Sequence, residues 1–232
     1  YSWMVGLRIA EELERLDSID EAVAELERLA AVRPERFEPL FRLGNLLRGK
    51  ERFEEAVAAY DRAVARVGSS ERRHWTMFYF RGIALERLKR WPRAEQDFLQ
   101  ALELEPEQPF VMNYLAYSWV DRSLNLDRAK GMLVRAVELR PDDGYIVDSL
   151  GWAYYRLGEY GKVVEYLERA VELRPQDPVI NDHLGDAYWR VGRRQEARFQ
   201  WRRALSLEPE EDTAPKIEEK IDRGLGDSPE DT

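Results

Sequence analysis

Leu150-Gly151-Trp152-Ala153-Tyr154 belongs to a stretch, Gly144 to Glu211, that states one pattern twice. The first copy continues with Val163, Leu167, Ala170 and Pro175. The second reads Leu184-Gly185-Asp186-Ala187-Tyr188, then Ala197, Trp201, Ala204 and Pro209. Each pair is 34 residues apart. A fixed period of roughly 20–50 residues is the signature of a repeat solenoid.

The frame extends towards the N-terminus. Gly151 maps onto Tyr117, Gly82 and Gly44, in steps of 34, 35 and 38. A second set runs Val163, Ala129, Ala94, Ala56 and Ala22. The closing position runs Pro209, Pro175, Pro141, Pro106, Gly68 and Pro34. Six units follow, starting near residues 3, 37, 75, 110, 144 and 178. The longer step marks a four-residue insertion, Glu71 to His74, read as a surface insertion. The fourth unit departs from the frame, with Tyr117 in the glycine slot and Ala116 in the leucine slot; the first has Ala10 and Leu29 where glycine and alanine are expected.

Within a unit the apolar residues fall at helical spacing on two faces. Val147, Leu150 and Tyr154 lie before the Leu157-Gly158 turn, and Val163, Leu167 and Ala170 after it. Small residues allow close helix approach, and proline stops the second helix. The expected fold is all-α: a superhelix of about six helix-turn-helix repeats over 1–211. Ile217, Ile221 and Leu225 share one face of a capping helix over 212–225. The acidic residues 226–232 read as a disordered tail.

Composition narrows the function. The 36 basic and 45 acidic residues give a formal charge of −9, which disfavours nucleic acid and anionic membranes as partners. Cysteine is absent, which removes disulfides, thiol catalysis and thiolate-bound metal. No apolar run approaches the ~18 residues of a membrane span. The two histidines, His74 and His183, read as packed or surface residues. No phosphate loop, nucleophile elbow or paired-histidine motif appears. The expectation is a non-enzymatic protein with no cofactor and no metal. The start at Tyr1, without signal-peptide character, reads as an excised or trimmed piece, and the degenerate first unit as either a true cap or a cut through a longer array.

The spacing of Leu-Gly, Tyr, Ala, a large aromatic, Ala and Pro resembles the tetratricopeptide repeat (TPR) family over about residues 3–211. The resemblance implies that first helices line a concave groove through positions two, five, nine and twelve of each unit. Carried onto this chain, with neighbouring aromatics, it gives a partner-binding set: Phe41, Asn45, Tyr79, Tyr114, Asp121, Tyr145, Asp148, Trp152, Tyr155, Asp182, Asp186 and Trp189. Trp152, Tyr155 and Trp189 are expected to be open to the groove, while Tyr154, Tyr188, Phe98 and Trp201 belong to the core. An aromatic and acidic lining implies a protein or peptide partner with basic and apolar residues. Of the clamp that some members use for a C-terminal carboxylate, only Asn45 and Arg48 are present.

A narrower resemblance rests on Asn113-Tyr114-Leu115-Ala116-Tyr117, Asp148-Ser149-Leu150-Gly151-Trp152 and residues Asp177 to Asp186. These resemble the C-terminal repeats of exported bacterial TPR proteins. That group includes outer-membrane lipoprotein adaptors of carboxyl-terminal processing proteases. The resemblance implies a periplasmic or outer-membrane-associated adaptor for such a protease or its substrates. The 30 arginines against 6 lysines suit a high-GC bacterial genome. The alternatives are a cytoplasmic location and a self-assembling structural array.

Overall fold

The computed structural model describes residues 3–226, so the expected acidic tail lies outside the described residues from 227 on. Among the described residues every regular element is a helix. The chain divides into two compact units, residues 1–107 and 108–232.

The first unit holds α1 (Trp3–Arg15), α2 (Ile19–Val32), α3 (Glu38–Gly49), α4 (Phe53–Val67), α5 (Trp75–Arg87) and α6 (Trp91–Leu104). The second holds α7 (Pro109–Asp121), α8 (Leu126–Leu139), α9 (Gly144–Arg156), α10 (Tyr160–Leu173), α11 (Pro178–Arg190), α12 (Arg194–Ser206) and α13 (Ala214–Arg223). Consecutive pairs form antiparallel hairpins, and each hairpin stacks on the next within its unit. The small-residue slot of each first helix decides how closely the pair packs. A Cβ on Gly44 would lie 2.5 Å from the Tyr60 ring, and one on Gly185 2.4 Å from Trp201. The large partner lies sixteen residues on: Leu26, Tyr60, Phe98, Leu167 and Trp201, all buried.

Helix caps correct the register of the fourth hairpin. Gln108 accepts the Phe110 amide, Asp143 those of Tyr145 and Ile146, and Asp177 those of Val179 and Ile180. The eighth residue after each cap is Ala116, Gly151 and Gly185, so Ala116, and not Tyr117, fills the small slot. Its large partner is the buried Leu133, one residue later than in the other hairpins. The extra residue sits in the turn, where Ser123 and Asn125 both take positive φ (53° and 46°). The neighbouring turns of this unit use single glycines, Gly158 and Gly192. The expected departure from the repeat is therefore one residue of turn.

The insertion at Glu71–His74 is folded. Arg72–His74 make one 3₁₀ turn closed by a reciprocal Glu71–His74 cap. The His74 ring is buried edge-on to Phe37, with centroids 5.3 Å apart. Ion pairs run from hairpin to hairpin inside each unit. In the first unit these are Lys50–Asp17 at 2.6 Å, Arg62–Glu27 at 2.6 Å and the bidentate Arg72–Glu105. In the second, Lys130 meets Glu159 at 2.6 Å. One such cluster is partly buried: Arg81 on α5 grips both oxygens of the buried Asp97 at 2.7 Å and Asp61 at 2.8 Å.

Candidate binding surfaces on the first helices

In the first unit the expected Phe41 and Tyr79 join Phe80 and Trp75 in a half-buried aromatic patch. Phe41 lies 6.2 Å from Phe80, which lies 5.2 Å from Tyr79; Trp75 closes the patch at 5.9 Å. Arg48 places its guanidinium 4.6 Å from the centre of the Phe80 ring. Asn45 is spent inward, accepting the Tyr60 hydroxyl at 2.7 Å. Burial pushes the phenols of Tyr60 (to about 12) and Tyr79 upward, so both stay protonated hydrogen-bonding groups.

In the second unit the register change alters which residues face which way. Tyr114 and Asp121 fall one position past the expected frame; Tyr114 is half-buried and Asp121 exposed. The expectation that Trp152 and Tyr155 open to a groove is overturned: they are 7% and 0% exposed. The physical reason is a ring stack. Trp152 lies between His183, at 4.1 Å and 12°, and Tyr155, at 4.7 Å and 6°. Arg190 donates to the Tyr155 hydroxyl at 2.9 Å.

The acidic residues of this face are also turned inward. Asp148 lies 3.0 Å from Nδ1 of His183. Burial alone would push this imidazole down, but the Asp148 carboxylate, helped by Asp182 and Asp186, holds it above the usual histidine value. Asp182 and Asp186 share the ammonium of Lys220, at 2.8 and 2.9 Å, and Asp186 also accepts the Trp201 indole N–H at 2.8 Å. Burial, reinforced by Asp182, pushes Asp186 up to about 6 against the pull of Lys220. Trp189 is half-buried rather than open: its indole N–H donates to the Leu225 carbonyl at 3.1 Å, and Arg194 stacks on the ring at 3.9 Å. Only Tyr145 and Asp121 of the second-unit set are exposed.

A row of apolar side chains is left open in the same unit. Phe110, Tyr145 and Val179 each stand two residues after a cap, on α7, α9 and α11. They are 37%, 50% and 46% exposed. Arg140 lies over the Phe110 ring at 5.0 Å and Arg174 over Tyr145 at 4.9 Å. Beside Tyr145 a cleft of about 410 Å³ is lined by Leu173, Arg174, Pro175, Gln176 and Asp177. Of this row sequence reasoning placed Tyr145 and Val179 at position two of their units and missed Phe110, which enters the row only in the corrected register. His183 and Lys220 were missed as charge partners. The offsets of 35 and 34 residues from Asp148 and Asp186 were the available signal. No group of three or more potential metal ligands occurs among the described residues. No helix among them is long and apolar enough to cross a membrane.

Family models described as "Tetratricopeptide repeat" match residues 7–71 and 41–109, 147–177 and 180–211. A TPR repeat-containing protein of Pseudomonas aeruginosa is 28% identical over 162 residues, which is 69% of this chain and 27% of that protein. The chain thus spans about a quarter of that curated relative. Three solved structures share the fold. The assembly described as "APC/C hetero-tetramer Cut9-Hcn1" gives a TM-score of 0.76 at 18% identity, over 97% of this chain and 43% of that one. A TPR protein from Parabacteroides merdae gives 0.72 at 13%, over 93% and 97%. YrrB, described as "a TPR protein with an unusual peptide-binding site", gives 0.62 at 21%, over 84% and 97%.

Proposed function

We infer, from the premise that this chain belongs to the tetratricopeptide repeat family, that it is a non-enzymatic scaffold holding a protein or peptide partner. The observation that carries the reading is the row Phe110, Tyr145 and Val179. Three apolar side chains at one register stay open while their helices are otherwise closely packed. Aromatic anchors bury much area at low entropic cost and dominate binding hot spots. The arginines over the two rings hold them in place and offer N–H donors to partner carbonyls or carboxylates. The half-buried patch of Phe41, Phe80 and Tyr79 supplies a second such surface in the first unit.

The partner we propose is a carboxyl-terminal processing protease or a substrate of one, in the periplasm or at the outer membrane of a bacterium. The support is the resemblance of residues 110–211 to exported adaptors of that kind. The test is calorimetric titration of the chain with the processing protease of its own organism. Phe110→Ala with Tyr145→Ala should weaken binding at least tenfold and leave the melting temperature within a few degrees, as exposed substitutions do. Equal binding by the variant would move the site off this row. No binding by the wild-type chain would remove the protease.

A further inference from the structure

The end of the second unit is closed by a segment whose hold is mostly polar. α13 and the turn after it bury Ile217 and Leu225 and half-bury Ile221. Charge and hydrogen bonds supply most of the other contacts. Lys220 stands against Asp182 and Asp186, with its side chain 11% exposed. Trp189 donates to the Leu225 carbonyl, Arg198 to the Ile221 carbonyl at 3.1 Å, and Arg190 to the Gly226 carbonyl. Gly224 brings the backbone against Trp189: its φ is +77°, and a Cβ there would lie 1.9 Å from the indole. The seat therefore reads a cation, three backbone carbonyls and a glycine turn, and any helix carrying those features can satisfy it. Lys216, Glu218, Glu219, Asp222 and Arg223 all face solvent, and Arg223 pairs only with Glu219 of the same helix.

Desolvation of three charged groups offsets most of their attraction, so this buried ion cluster adds little net stability to the closure. A permanent closure would be made of apolar side chains, as the α11–α12 contact around Trp201 is. We propose that α11 and α12 form a receptor for a lysine-bearing helix, and that α13 is its resident occupant, exchangeable for a partner segment of the pattern Ile-x-x-Lys-x-x-x-Gly-Leu-Gly. This rests on the scaffold reading for the existence of a partner only, and it uses a different surface from the Phe110 row.

The probe is a fluorescent peptide copying residues 212–226, titrated against the whole chain. Lys220→Gln in the chain removes the resident cation and leaves both aspartates. That variant should bind the peptide at least tenfold more tightly than wild type, and a peptide carrying its own Lys220→Gln should lose at least tenfold on the same variant. Hydrogen exchange on the wild-type chain gives a second, independent reading: amides of 214–223 should exchange ahead of those in α11 and α12. The proposal is overturned if those amides exchange only together with α12. It is equally overturned if the folded variant ignores the peptide, or binds both peptides alike. None of these readings involves a protease, so they stand or fall apart from the Phe110–Tyr145 test.

Discussion

His183 and Asp148, 35 residues apart in sequence, meet at 3.0 Å between α11 and α9, and the histidine ring closes the stack on Trp152. The pair ties the fifth hairpin to the sixth through groups that are both buried. Removing one partner would leave the other as an uncompensated buried polar group, at a cost on the order of 3–5 kcal/mol. His183→Ala should lower the stability of the second unit by about that much, read by thermal melting.

The same pair sets a pH dependence. His183 is held above its unfolded value of about 6.5, so its contribution is fully present below that pH and is lost as pH rises through the higher folded value. Asp186 adds a lower window with the same sign. Its folded value of about 6 exceeds the unfolded one, so the folded state binds the extra proton between about pH 4 and 6, and stability falls as pH rises through that range. Melting temperature across pH should show both declines. Asp186→Asn should flatten the lower one, and His183→Gln the upper.

Trp152→Ala separates a core role from a surface role. With the ring sandwiched between His183 and Tyr155, the truncation should cost about 3–5 kcal/mol, the range for a buried large aromatic. A denaturation midpoint unchanged from wild type would return Trp152 to the surface.

The corrected register of the fourth hairpin is itself testable. Ala116→Gly should cost only about 1 kcal/mol, the helix-propensity difference. Gly185→Ala, by contrast, forces a Cβ into the Trp201 ring and should cost about 1–3 kcal/mol. Chemical denaturation of the two variants would show whether Ala116 fills the small slot without strain.

The hairpins and their closing prolines were legible because a 34-residue period survives substitution: Gly44, Gly151 and Gly185 keep the slot whatever fills the neighbouring positions. Tyr117 was misplaced because an extra residue in a turn shifts only one helix of the pair, and a step counted between first helices absorbs it silently. Trp152, Asp148 and Asp182 were misread for another reason. Their burial depends on His183 and Lys220, supplied from one repeat further on, and a pattern repeated within each unit carries no record of such partners. Tyr154 and Tyr188, by contrast, are buried as the spacing implies, because the apolar frame of each hairpin places them there.

In both units exposed ion pairs link one hairpin to the next, as Lys50–Asp17, Arg62–Glu27 and Lys130–Glu159 do, while the apolar slots hold each hairpin to itself. Salt therefore acts on the linkage between repeats and leaves the apolar slots inside them untouched. In a nearest-neighbour array such linkage sets cooperativity, and exposed pairs fade beyond a Debye length of about 3 Å at 1 M. Raising ionic strength should broaden the melting transition with little movement of its midpoint, as the hairpins begin to melt one by one instead of together.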